Sequence, residues 1–232
     1  KHITIYDYNP GLLCGYFVPE CDVANFTVNA RLYQQLGIKG FQTEGRKSFM
    51  NTWISYYIRA KLMWDVQADV AALKQDFYTT FFGPEAGPHV RAWWDACEAE
   101  LAKSTAHVHE DWLLSHIYTV DFTNRLHAFV EAAQRAGGTA RQRANVATFA
   151  LIADHLEADA AMEDAERRLD FAAAAAAAGR MQEDKVKLQA ISPWLITVEQ
   201  RATPRPYFSD GRQLALHKLA ARTDGTTGTL VA

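Results

Sequence analysis

The start of the chain alternates strand and helix patterns, and this order constrains the fold more than any other feature. Residues 2–8 alternate β-branched and aromatic side chains and end at a turn cluster of Asn, Pro and Gly. A helical pattern from Asp22 to Leu36 meets Gly37, which suits the left-handed position that ends a helix. Residues 38–43 form a second strand, and an apolar helical stripe runs from Phe49 to Trp64. Because a parallel pair of strands needs a crossover, the order predicts two adjacent parallel β/α units.

After Asp65 the strand patterns disappear and helical stripes follow one another. The chain is therefore predicted to be α/β followed by mostly α. We assign residues 1–66 to two β/α units and residues 67–191 to a helical region. Residues 192–232 are rich in Pro and Gly and are predicted to be a linker into a further, β-rich domain.

The apolar stripes of the helical region also predict its core. Trp64, Phe77, Phe81 and Trp94 lie on the widest apolar faces that the helical periodicity offers. We expect all four side chains to be largely buried between successive helices.

Composition excludes two classes of partner. The formal net charge of −3 and the pI near 6.3 provide no basic field for nucleic acid. The longest apolar run, Phe171 to Ala178, is far shorter than the roughly 20 residues of a membrane-spanning helix, so no membrane partner is expected. Three cysteines are too few for a disulfide framework; Cys14 and Cys21 are either bridged or, like Cys97, buried free thiols.

Both ends of the sequence resemble interrupted strands. The chain opens on the alternating strand without an initiator Met, and it closes on Gly228 to Ala232, which has the pattern of a strand that has just begun. We therefore expect N-terminal and C-terminal parts of the same protein on either side. Localisation cannot be read from this stretch alone.

A set of aromatic, acidic and glycine signals in fixed order carries a family resemblance. The set comprises Gly37 to Phe41, Glu44-Gly45, Trp53, Tyr56-Tyr57, Leu62 to Asp65, Phe77-Tyr78 and Phe81 to Pro84. This pattern resembles the bacterial family described as domain of unknown function 4838, which is associated with glycoside hydrolase family 163. The resemblance covers about residues 2 to 100.

The resemblance implies a fold and an activity. It implies that the β/α units are the C-terminal part of a (β/α)8, TIM-like barrel, and that the protein is a retaining-type hydrolase of N-acetylglucosamine-containing glycans. Catalytic carboxylates of such barrels commonly sit on middle strands, which would precede Lys1, so we expect this stretch alone to be inactive. A glycan is the implied partner, no cofactor is expected, and export to the periplasm or the exterior is the implied localisation.

The predicted substrate site follows the carboxyl ends of the two strands, where β/α barrels build their active sites. Asp7, Tyr8 and Asn9 end the first strand, and Glu44 and Arg46 follow the second. These side chains are expected to face the substrate.

Glu44 is the candidate catalytic residue. It shares the parity of Gly40 and Gln42, so its side chain should point into the mouth of the barrel. A glycosidase needs a carboxylic acid to protonate the leaving oxygen. Three roles remain open for Glu44, namely acid/base catalysis, binding of a sugar hydroxyl, and a structural ion pair; the same alternatives hold for Asp7.

Aromatic residues are the candidate sugar-stacking groups. Tyr6, Tyr8, Tyr16 and Trp53 can stack on a sugar ring or donate to its hydroxyls. Trp53 also lies in register with an apolar helical stripe, which makes core packing the competing interpretation.

Other chemistries lack a signal. His107 and His109 form a His-x-His pair near His116 without a carboxylate at ligand spacing, so no metal site is predicted. No serine lies in a nucleophile elbow and no glycine-rich phosphate loop is present. Two alternatives to the enzyme remain: a carbohydrate-binding or scaffolding protein with a degenerate barrel, and a helical interaction domain.

Overall fold

The computed structural model describes residues 2–7, 19, 22–43, 49–105 and 116–195. Within them lie two strands and seven helices, which we number in chain order. They are β1 (Thr4–Asp7), α1 (Val23–Gln35), β2 (Gly40–Thr43), α2 (Phe49–Trp64), α3 (Val70–Phe82), α4 (Gly87–Leu101), α5 (Val120–Arg135), α6 (Ala140–Arg167) and α7 (Phe171–Ile191). The expected order of α/β followed by mostly α is confirmed, since the described residues form two short strands near the start and helices after them.

The two strands pair in parallel, with α1 between them in the chain. Thr4 lies opposite Gly40 and Asp7 opposite Thr43, so both strands end at the same edge of the sheet. After α1 the chain turns at Gly37, whose φ of 70° is accessible to glycine without steric cost. The predicted β-α-β order and its glycine helix end are therefore confirmed.

One hydrophobic core joins the β/α units to the helical region. Its buried members run from Val23 in α1 to Leu188 in α7. Trp53 of α2 is the central side chain, because its ring lies 5.4 Å from the ring of Phe82 and 6.5 Å from that of Trp94, between ring centroids. The core thus extends across residue 66, where the sequence analysis placed the change from β/α units to helices.

The predicted burial is correct for Trp94, wrong for Trp64 and partly met by Phe77 and Phe81. Trp94 is buried, but Trp64 is 94% exposed, and Phe77 and Phe81 are only partly buried. Trp64 is the last residue of α2, and the chain turns away after it, so nothing covers its ring. In α3 each predicted aromatic has an aromatic neighbour, and packing buries Tyr78 and Phe82 instead.

Helices α3 and α4 approach closely at a glycine. A Cβ atom added to Gly87 would lie 2.5 Å from the carbonyl oxygen of Tyr78, a distance that no side chain tolerates. Pro88 follows in the first turn of α4, where its missing N–H costs no hydrogen bond. The Gly-Pro pair therefore begins α4 and lets it pack against α3.

The last three helices start at side-chain caps. Thr139 and Gln142 form a reciprocal capping box at the start of α6, and Asp170 accepts a hydrogen bond from the Ala173 N–H at the start of α7. The alanine run is helical, as expected, and buries Ala174 and Ala178 in a second small cluster with α6. None of the helices among the described residues is both long and apolar enough to cross a membrane.

Candidate functional site

Asp7 lies at the carboxyl end of β1, where the sequence predicts the substrate site. Its carboxylate accepts a hydrogen bond of 3.0 Å from Nη1 of Arg59, a buried residue of α2. The other terminal nitrogen of Arg59 donates to the carboxylate of Asp22, which precedes α1. One guanidinium from within α2 thus joins the end of β1 to the start of α1 just behind the expected substrate edge.

Aromatic rings and burial complete the surroundings of this guanidinium. The central carbon of the Arg59 guanidinium lies 4.3 Å from the ring centroid of Phe26 and 5.6 Å from that of Phe41, distances at which a cation is attracted to the π face. Burial raises the pKa of Asp22, and the hydrogen bond and charge of Arg59 act against this rise. Asp22 makes no side-chain cap to α1, so its carboxylate serves the ion pair.

The register of the two strands determines which residues follow the neighbouring strand ends. Because Asp7 lies opposite Thr43, the next residues in the sequence, Tyr8 and Glu44, follow adjacent strand ends. Five of the predicted site residues lie outside the described residues, namely Tyr8, Asn9, Tyr16, Glu44 and Arg46. Their roles stay predictions.

Tyr6 and Trp53 are the other candidate residues within the described part; Tyr6 lies on β1 and is 49% exposed, whereas Trp53 belongs to the core. Trp53 is 2% exposed, and its ring packs edge-on against Phe77, Phe81 and Phe82. This placement agrees with the core-packing interpretation, because a sugar ring needs a free aromatic face. Asp7 therefore stands at the expected edge, and Trp53 does not.

A comparison with protein families assigns this part of the chain. Residues 1–95 match the family described as Domain of unknown function (DUF4838). We call residues 1–95 the DUF4838 segment. The family recognised from the sequence is thereby confirmed, whereas the associated hydrolase activity stays a prediction. No match was found among curated proteins or among solved structures.

The DUF4838 segment contains Arg59 with its two carboxylate partners, Asp7 and Asp22, and it also contains the aromatic core around Trp53. Sequence reasoning missed Arg59, because an arginine on a helix is usually solvated. A signal existed, since Arg59 lies between the apolar residues Ile58 and Leu62 on a helix of low charge. A single cation on such a face indicates a buried partner.

Tyr118, which lies beyond the DUF4838 segment, contacts the connection between β1 and α1 within it. The hydroxyl of Tyr118 donates a hydrogen bond of 2.7 Å to the carbonyl oxygen of Pro19, and both groups are buried. Pro19 belongs to the connection between β1 and α1, which includes the predicted site residues Tyr8 and Tyr16. The helical region thus anchors the connection on which the substrate site is expected.

Two cavities lie away from this edge. One, of about 300 Å³, opens at the amino end of β2 and is lined by Lys39, Phe41 and Leu62 among others, so it lies opposite the expected substrate edge. The other, of about 400 Å³, lies between α5, α6 and α7 and is polar; Asp154, Glu157 and Asp184 line it. Neither cavity contains Asp7.

Ionisable residues are buried where α6 meets α7. His155, Asp159 and Glu163 follow one face of α6, and Lys185 lies on α7. Complete burial, assisted by the charge of Lys185, lowers the pKa of His155 to about 3, so its imidazole is neutral at physiological pH. The periodicity of i, i+4 and i+8 in this polar row was visible in the sequence, but its burial was not.

The described structure brings metal-ligating residues together at one place. His127 of α5 meets Asp154 and Glu157 of α6, with one ligand atom from each residue within 4.8 Å of the others. His107 and His109, for which no metal site was predicted, lie outside the described residues. The grouping depends on the packing of two helices and has no signature in sequence spacing.

Proposed function

We propose that the DUF4838 segment is part of a glycoside hydrolase that acts on N-acetylglucosamine-containing glycans. In this proposal β1 and β2 with α1 and α2 are the last two β/α units of a TIM-like barrel. The family resemblance supplies the activity class, and the parallel β-α-β arrangement is the geometry that such a barrel requires.

The exposed side chains of the two-stranded sheet support the proposal that it is part of a larger sheet. Parallel strands are normally covered on both faces, yet the side chains of Ile3 and Tyr6 are exposed. An isolated two-stranded sheet is marginally stable in water at best. Further parallel strands beside β1 and β2 would enlarge the sheet, and its closure into a barrel would enclose the side chains on the inner face.

The pairing of Asp7 with Thr43 is the observation that carries the proposal. It brings the ends of β1 and β2 to one edge, from which Tyr8, Asn9 and Glu44 continue. Active sites of β/α barrels form from the connections at this edge. The proposed substrate cleft therefore lies beyond Asp7, with Tyr16 and Arg46 on the two connections that border it.

The chemistry assigns different roles to the two acidic residues. Hydrolysis of a glycosidic bond needs an acid that protonates the leaving oxygen and a second group that stabilises the cationic carbon, either a carboxylate or the amide of the substrate. Glu44 is the proposed acid/base. Asp7 is held by Arg59 and is suited to accept a hydrogen bond from a sugar hydroxyl, because its orientation is fixed.

The test is Glu44→Gln in the intact gene product. Glutamine keeps the shape of the side chain and removes the ionisable proton, so an acid/base role predicts a fall in kcat of roughly 10²- to 10⁴-fold with KM little changed. The assay is hydrolysis of an N-glycan or a β-linked N-acetylglucosaminide. Glu100→Gln is the matched control, because Glu100 lies near the end of α4 and pairs with the exposed Lys103.

Three results would separate the alternatives. Weaker glycan binding without slower turnover would assign Glu44 to hydroxyl binding. Binding of the glycan without any hydrolysis by the wild-type protein would make the segment a carbohydrate-binding module. Failure of the wild-type protein to bind or cleave any such glycan would refute the proposal.

A further inference from the structure

The cluster of His127, Asp154 and Glu157 joins two helices that lie outside the DUF4838 segment. Asp154 and Glu157 are three residues apart on α6, so their side chains emerge on the same face. His127 reaches them from α5. The ligand atoms lie within 4.8 Å of one another, a separation that small side-chain rotations reduce to the spacing around one ion.

His127 already contacts two carboxylates directly. Nδ1 of His127 lies 2.9 Å from Oε1 of Glu157, and its Nε2 lies 3.6 Å from Oε1 of Glu131. Glu131 in turn accepts a hydrogen bond of 3.3 Å from Arg135, so its charge is already shared. A metal ion that replaced the proton between His127 and Glu157 would keep both groups at similar positions.

Negative charge accumulates around the same point. Four carboxylates line the adjoining cavity, namely those of Asp154, Glu157, Glu183 and Asp184, against the two cations of Arg180 and Lys187. Lys187 offers limited compensation, because its Nζ is bound 3.0 Å from the carboxylate of Asp184. A divalent cation would neutralise the repulsion between these carboxylates.

The adjoining cavity has room for further ligands. Asp154 and Glu157 both line the polar cavity of about 400 Å³ between α5, α6 and α7. Its wall also carries the polar side chains of Thr123 and Asn124. Water molecules in this cavity can complete a coordination shell that three protein side chains leave open.

We propose that His127, Asp154 and Glu157 bind a divalent transition-metal ion of the zinc class. One imidazole and two carboxylates form a ligand set that such ions accept, whereas Mg²⁺ and Ca²⁺ prefer oxygen ligands alone. The bound ion would connect α5 to α6. This site is independent of the proposed glycan chemistry.

The test measures Zn²⁺ binding to the 232-residue chain after removal of metal with EDTA. Calorimetric titration at neutral pH is expected to show a stoichiometric site, and Zn²⁺ is expected to raise the Tm until EDTA reverses the effect. His127→Ala and Asp154→Asn should each weaken the binding by at least about 10-fold, since even the loss of an outer-shell partner costs 10- to 100-fold. Circular dichroism will show that both variants retain the helical fold.

His109→Ala is the matched control, because it removes an imidazole from the competing His-x-His pair. It should leave the affinity unchanged. The proposal is overturned if the wild-type chain binds no Zn²⁺ stoichiometrically, if His109→Ala rather than His127→Ala abolishes binding, or if Mg²⁺ binds as tightly as Zn²⁺ whether or not His127 is present.

Discussion

Arg59→Met should destabilise the fold strongly, because it removes the cation that two carboxylates share. The Arg59 side chain is 4% exposed, that of Asp22 is 8% exposed and that of Asp7 is 22% exposed. Removing one partner of a buried ion pair costs about 3–5 kcal/mol, since the remaining charge loses its compensation without regaining water. Methionine keeps an apolar stem against Phe26, so the loss measures mainly the charge.

The loss should depend on pH, and the direction follows from Asp22. Its folded-state pKa is already raised by burial, and Arg59 is the largest influence that lowers it. Without Arg59 the pKa rises further above the unfolded value. An acid whose pKa is raised in the folded state destabilises the fold above that pKa, and the penalty disappears as the pH falls through it. The deficit of Arg59→Met should therefore be largest at neutral pH and should shrink as the solution is acidified.

Urea unfolding followed by circular dichroism measures this deficit, with Lys61→Met as the control. Lys61 lies on the same helix but is exposed, so its replacement should change the free energy of unfolding by less than about 0.5 kcal/mol. In thermal unfolding, Arg59→Met should lower the Tm by about 6–20 °C for a chain of this size. Adding Asp22→Asn should recover part of the loss. A deficit below about 1 kcal/mol, or one that is the same at acidic and neutral pH, would refute the assignment of a buried ion pair.

Three further predictions concern packing, anchoring and reactivity. Phe82→Ala should cost about 3–5 kcal/mol in urea unfolding, whereas Trp64→Ala should stay within about 0.5 kcal/mol; equal losses would contradict the burial that the structure assigns. Tyr118→Phe should cost about 1–3 kcal/mol, because the buried carbonyl of Pro19 loses its donor, and an unchanged urea midpoint would contradict this. Burial raises the pKa of the Cys97 thiol, so mass spectrometry should find Cys97 unmodified by a disulfide reagent until the chain is unfolded; rapid modification in the native chain would contradict its burial.

Part of the fold could be predicted because its signals are local. The alternation in residues 2–8 and the glycine at position 37 depend on backbone preferences of adjacent residues, so they indicated β1 and the end of α1 correctly. The parallel pairing followed from the intervening helix, which leaves little choice of topology. Aromatic and glycine signals in fixed order were enough to identify the DUF4838 segment.

The choice between adjacent aromatic residues could not be made from periodicity. In α3 the pairs Phe77-Tyr78 and Phe81-Phe82 offer two apolar stripes that differ by one residue, or about 100° around the helix. Contacts with α2 and α4 decide which stripe is buried, and these contacts belong to the assembled core. Similarly, only the turn after α2 explains why Trp64 remains exposed.

The sequence by itself determined the β/α start, the helical continuation, the family and the strand edge at which Asp7 lies. Tertiary structure alone decided which charged groups meet. Arg59 lies 52 residues from Asp7 and 37 from Asp22 in the chain, and His127 lies 30 residues from Glu157. Spacing rules act over one or two helical turns, whereas these contacts form only when helices pack side by side and burial makes an unpaired charge costly. The ion pair behind the expected substrate edge and the proposed metal site are therefore properties of the packed helices.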